Sequence, residues 1–115
     1  MPEHTAGDAA RRDVPTCALD EPLVAVRERV RASGWDTCIV VTEQRVVLGR
    51  LGRKALASNS DESVEEAMSP GPSTVRPSIG PDALLERMRS RNLTSYLVTT
   101  PDGRLVGLVR RDELE

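Results

Sequence analysis

Few residues in this chain are of a type that does chemistry unaided. His4 is the only histidine, and Cys17 and Cys38 are the only cysteines. Their spacing is not that of a metal centre, and several carboxylates would have to complete a zinc site, so no metal is expected. An enzyme needs a nucleophile beside a base, paired carboxylates or a metal, and none of these has local support. No glycine-rich stretch has the pattern of a P-loop or a dinucleotide-binding turn. The chain is therefore read as a binder without a catalytic cofactor. Arg110, Arg111, Asp112 and Glu113 cluster near the C-terminus, and the plain reading of such a run is a solvated last helix.

Composition narrows the partners. With 16 basic against 18 acidic residues, 15 of the basic ones Arg, there is no overall field to hold a polyanion. Trp35 and Tyr96 are the only aromatic residues, too few to stack bases, so nucleic acid is not expected. No apolar run approaches the ~18 residues of a membrane span. The first 13 residues are acidic and Ala-rich, unlike a signal peptide, so a cytoplasmic location is expected. A chain of 115 residues suits one domain.

What must position the charged groups is an internal repeat. A shift of 58 positions aligns residues 14–56 with 72–114 without a gap. Identical pairs run the whole way, among them Thr16 and Thr74, Glu28 and Glu86, Val40 and Val98, Gly49 and Gly107, and Leu56 and Leu114. Each copy reads as a short strand (Thr16 to Ala18; Thr74 to Arg76), a helix, and a hairpin. The helix stripes are Leu23, Val26 and Val30 in one copy and Leu84, Leu85 and Met88 in the other. Gly34 and Asn92, both suited to a left-handed C-terminus, should stop the helices. The apolar runs Cys38 to Val41 and Val46 to Leu51, and Tyr96 to Val98 and Leu105 to Val109, lack alternation and predict strands covered on both faces. Pro101-Asp102-Gly103 is strong hairpin chemistry, whereas Glu43-Gln44-Arg45 has no glycine. Strand, helix, strand in one sheet implies a right-handed parallel crossover.

These units predict an α/β fold of tandem β-α-β-β-α repeats packed about an approximate two-fold axis. Boundaries are expected at 1–13 for a frayed tail carrying His4, 14–57 for repeat 1, 58–71 for a connecting segment and 72–115 for repeat 2. Within the connection, Ala57 to Asp61 is polar, Glu62 to Met68 reads as a short helix, and Ser69-Pro70-Gly71-Pro72 breaks it.

The stretch Val64-Glu65-Glu66-Ala67-Met68-Ser69-Pro70, followed by Thr74-Val75, resembles the opening of a repeat in the CBS-domain (cystathionine β-synthase domain) family. Asp102-Gly103-Arg104-Leu105-Val106-Gly107-Leu108-Val109 resembles that family's closing hairpin. The likeness covers about 100 residues of a tandem pair, called a Bateman module, and repeat 1 is the more degenerate copy. It implies a regulatory, ligand-sensing module that takes AMP, ADP, ATP or S-adenosylmethionine in a cleft between repeats.

In the family pattern the closing Gly is followed at the third position by Thr or Ser, which meets phosphate, and at the sixth by Asp, which accepts from ribose hydroxyls. Counted from Gly107, these positions are Arg110, suited to phosphate, and Glu113, one methylene longer than Asp. A one-residue shift would present Asp112 instead. Counted from Gly49 they are Gly52 and Ala55, so the first cleft is expected to have lost its nucleotide. By the same likeness the base would lie against Thr74 and Val75 and against Ser95, Tyr96 and Leu97, although an aromatic at a strand start, as Tyr96 is, is more often core or interface packing. Cys17 and Cys38 match Val75 and Tyr96. The preferred reading is two buried small hydrophobes; a redox or soft-metal thiol pair is the alternative. Trp35 is expected to anchor a core or a dimer face. The family likeness implies a homodimer and a regulated partner protein, and the alternative function is a ligand-free dimerisation or docking module with decayed sites.

Overall fold

The computed structural model describes residues 5–57, 62–71 and 74–114. His4, the connection at 58–61, Pro72, Ser73 and Glu115 lie outside the described residues. In chain order the elements are α1 (Ala6–Ala9), β1 (Thr16–Cys17), α2 (Leu23–Ser33), β2 (Cys38–Val41), β3 (Val47–Leu51), α3 (Arg53–Ala57), α4 (Val64–Ala67), β4 (Ser69–Pro70), β5 (Thr74–Val75), α5 (Pro81–Ser90), β6 (Ser95–Thr99), β7 (Leu105–Arg110) and α6 (Arg111–Leu114).

The two longer helices stop where their local chemistry requires. Gly34 caps α2 at φ 79° and donates its amide to the Val30 and Arg31 carbonyls. After α5, Arg91 is the cap and Asn92 takes the left-handed turn at φ 55°. Pro81 opens α5, where a missing N–H costs nothing. Leu23, Val26 and Val30 are buried on α2, and Leu84 and Met88 on α5, while Leu85 is only half-buried.

Both copies build the same sheet step. β1 pairs parallel with β2 in the register Thr16 to Ile39, and β5 pairs parallel with β6 in the register Thr74 to Leu97. The second strand of each copy then returns as an antiparallel hairpin, with a bulge at Val40/Val41 in one and Val98/Thr99 in the other. Gly103 closes its turn at φ 87°, and Arg45, 58 residues earlier, adopts φ 68° in the same place. In both turns a threonine carbonyl and hydroxyl hold the return: Arg45 N to Thr42 O is 2.9 Å, and Gly103 N to Thr100 O is 2.9 Å.

The described residues divide into two compact units, one of 14–57 with 62–71 and the other of 5–13 with 74–114. The first unit holds a core of Leu23, Val26, Val30, Val40, Leu51, Leu56 and Val64, with Trp35 packed half-buried against it. The second holds Ala6, Ala10, Val75, Leu84, Met88, Tyr96, Val98 and Val109.

The expected frayed tail is corrected here, because residues 5–13 are part of the second core. Thr5 caps α1 in a reciprocal capping box with Asp8, as Ser63 caps α4 with Glu66. Ala6 N donates to Ile79 O and Gly7 N to Pro77 O, each at 2.9 Å. Arg11 then pairs with Leu108 on the outer edge of β7, just as Ser69 and Pro70 pair with Arg50 and Gly49 on β3. Each repeat therefore begins about nine residues earlier than the gap-free alignment suggests. Each lead-in packs on the unit built around the other copy's hairpin. Gly49 and Gly107 permit that close passage: a Cβ at Gly107 would lie 2.5 Å from Arg11 O, and one at Gly49 would lie 2.9 Å from Ser69 O.

Candidate functional site

The parallel pairing of β5 with β6 and the antiparallel pairing of β6 with β7 decide which side chains share a face. Thr74 is opposite Leu97, Ser95 is opposite Arg110, and Leu97 is opposite Leu108. Since successive strand residues alternate, Thr74, Ser95, Leu97, Leu108 and Arg110 point to one side. Val75, Tyr96, Val98 and Val109 point to the other, into the core under α5. The seven sequence-derived residues thus separate. Thr74, Ser95, Leu97 and Arg110 present side chains to one face, whereas Val75 and Tyr96 offer that face only backbone. Tyr96 is 3% exposed, and its hydroxyl accepts from Arg91 Nη1 at 3.3 Å.

The turn from β7 into α6 is tied to the residue just before β6, because Arg111 N donates to Thr94 O at 2.8 Å. That places Glu113, in the short helix, beside the end of β7. Both of its carboxylate oxygens are engaged by one guanidinium: Arg11 Nε lies 3.0 Å from each, and Arg11 Nη2 lies 2.8 Å from Oε2. The Arg11 hydrogen bonds, and after them the charges of Arg11 and Arg110, hold the Glu113 carboxyl below its usual range. The same pair raises Arg11. Asp112 is exposed.

Arg11 was not among the residues read from the sequence. Its signal was there, since Thr5-Ala6-Gly7-Asp8 and Ser63-Val64-Glu65-Glu66 are capping boxes 58 residues apart, and Arg11 is the counterpart of Ser69. An open depression on the outer side of α5, lined by Asp82, Leu85, Glu86, Arg89 and Ser90, contains none of these residues.

The first unit repeats the framework with different side chains. Thr16, Thr37 and Ile39 take the places of Thr74, Ser95 and Leu97. Thr37 Oγ1 donates to Leu51 O at 3.1 Å and accepts from Arg50 Nε at 3.0 Å. Burial lowers the Arg50 guanidinium. The counterparts of Arg110 and Glu113 are Gly52 and Ala55, which carry no polar side chain. Among the described residues, no group of three or more His, Cys, Asp or Glu side chains is placed to hold a metal, and no helix is long and apolar enough to cross a membrane.

Comparison with known proteins agrees with this framework. Residues 64–114 match the family model of the CBS domain. The cytosolic domain of the Mg2+ channel MgtE in complex with ATP matches 96% of this chain with a TM-score of 0.87 at 23% identity, and this chain spans 47% of that one. The CBS domain pair of protein MJ0100, in complex with 5-methylthioadenosine and S-adenosyl-L-methionine, matches 98% of this chain and 94% of its own at 16% identity and a TM-score of 0.84. CBSX2 in complex with AMP matches 96% and 93% at 17% identity and a TM-score of 0.85. The whole chain accordingly has the α/β fold of a CBS-domain pair, and its residues 64–114 belong to the CBS-domain family.

Proposed function

We propose that this chain is a regulatory module that binds an adenine nucleotide or a related adenosyl ligand at the second repeat. The observation that carries this reading is the gathering of Thr74, Ser95, Leu97 and Arg110 on one sheet face, with Glu113 in the helix that follows. Thr74 and Ser95 supply hydroxyls, Arg110 suits a phosphate and Glu113 suits vicinal hydroxyls, while Leu97, 1% exposed, stands behind them as a packed apolar side chain. That structures of this fold have been solved with ATP, AMP and S-adenosyl-L-methionine supports it. Ligand occupancy would reach a partner protein through a state with different ligand affinity, in a homodimer of cytoplasmic location.

The engagement of both Glu113 oxygens by Arg11 favours a second reading, a ligand-free dimerisation or docking module. Titration calorimetry of folded protein with AMP, ATP and S-adenosylmethionine separates the two. Saturable heat with at least one is expected, and no heat with any of them establishes the ligand-free module instead.

A further inference from the structure

Cys17 and Cys38 are the two cysteines of the chain. β1 and β2 are adjacent parallel strands with Cys17 opposite Val40, so Cys17, Cys38 and Val40 point to the same face. All three lie in the first unit's core. Cys38 is fully buried and Cys17 is 5% exposed. Charged groups sit at the edge of this pair. Arg29 Nη2 donates to Thr16 O at 2.9 Å, Glu21 Oε2 accepts from Ala18 N at 2.8 Å, and Arg29 and Glu21 pair at 2.8 Å.

We propose that Cys17 and Cys38 form a two-sulfur binding site for a soft monovalent cation of the copper(I) class. Ligand number and type select the cation. Zinc takes four ligands and calcium takes oxygens, whereas two sulfurs with no harder donor suit a soft d10 ion that accepts linear coordination. Register argues against a disulfide. Cys38 is diagonal to Cys17, which puts their Cα atoms roughly 8 Å apart from ordinary strand spacings, beyond the ~7 Å that a disulfide spans. An intervening cation replaces one sulfur–sulfur bond of ~2 Å with two metal–sulfur bonds of about 2.3 Å each, which relieves that mismatch.

On binding, each sulfur gives an electron pair to the cation and each thiol proton leaves to solvent, so two protons are released and nothing is oxidised. The resulting bis-thiolate carries one negative charge, and the Arg29 guanidinium is the cation closest to hand for it.

The test is an anaerobic titration of the reduced full-length chain with copper(I), against a chromogenic copper(I) chelator, followed by native mass spectrometry and near-ultraviolet absorption. One copper per chain, a sulfur-to-metal charge-transfer band and release of two protons are expected. Cys17→Ser and Cys38→Ser should each weaken binding by at least about a hundredfold. Since Cys38 is wholly buried, Cys17→Ser, at the edge of the core, is the decisive variant, with its fold checked by circular dichroism. Copper transferred completely to the chelator by the wild-type chain overturns the site. So does binding that survives Cys17→Ser, or a stoichiometry of one copper per two chains. An intramolecular disulfide formed readily by folded protein with a low-molecular-weight disulfide would also overturn it, in favour of a redox pair.

Discussion

Glu113 shows what a single side chain reveals and what it conceals. Counting from Gly107 leads to it directly, but its partner is 102 residues away in the chain, and no local pattern points that far. The carboxyl is held low by Arg11, so its sign is definite: the pair contributes stability above the carboxyl's unfolded pKa and loses it as pH falls through the lowered folded value. Carbon-detected NMR titration should show Glu113 protonating below an ordinary glutamate, and Arg11→Gln should return it towards normal. If the carboxylate also receives ribose hydroxyls, Glu113→Gln should weaken AMP binding roughly tenfold, the loss of a charged acceptor; unchanged calorimetry in that variant would remove Glu113 from the site. A second residue departs from its repeat partner at a cost. Arg27 stands where repeat 2 has Leu85, yet it is only 7% exposed, and its Nε and Nη2 are buried without hydrogen bonds. Arg27→Leu should therefore raise the unfolding free energy by about 1–3 kcal/mol, read by urea denaturation.

At the level of elements, legibility followed backbone chemistry. Gly34 and Asn92 marked both helix ends because few residues take a left-handed turn cheaply, and Gly103 marked one hairpin for the same reason. The other hairpin was harder to read because Arg45 does the work of a glycine at φ 68°. That conformation costs an L-residue roughly 1–2 kcal/mol, partly offset by the freedom glycine loses on folding. Arg45 is exposed, so little else changes with it. Arg45→Gly should stabilise the fold by up to about 1 kcal/mol, and Gly103→Ala should destabilise it by a similar amount. Thermal unfolding of the pair of variants checks both signs at once. The same alternation logic that located the strands could not say which of Tyr96 and Leu97 shares a face with Thr74, because both sit in an unbroken apolar run. Register with β5 puts Leu97 on that face and Tyr96 on the opposite one, and register is a property of two strands.

For the whole molecule, the repeat extends further than identity shows. Residues 5–13 and 63–71 match in role more than in residue: a hydroxyl cap, a carboxylate three positions on, a four-residue helix, then a short pairing onto the other copy's hairpin edge. Helices of four residues are too short for a hydrophobic period, and Ala-rich polar sequence beside a terminus looks like fraying. The consequence is that the N-terminal segment belongs structurally to the second repeat's core, where Ala6 is 1% and Ala10 is 9% exposed. A chain beginning at Val14 would lose the backbone bonds of Ala6 to Ile79, Gly7 to Pro77, and both between Arg11 and Leu108. At about 0.5–1.5 kcal/mol each, these amount to roughly 2–6 kcal/mol, a large share of a small domain's stability. The truncated chain should unfold at markedly lower denaturant, with amides of β7 losing their protection from hydrogen exchange before those of β2 and β3. A frayed tail would leave both observables unchanged. Because Arg11 departs with the same segment, the Glu113 carboxyl should in that chain also titrate nearer its ordinary range, which ties the packing of the lead-in to the chemistry of the site.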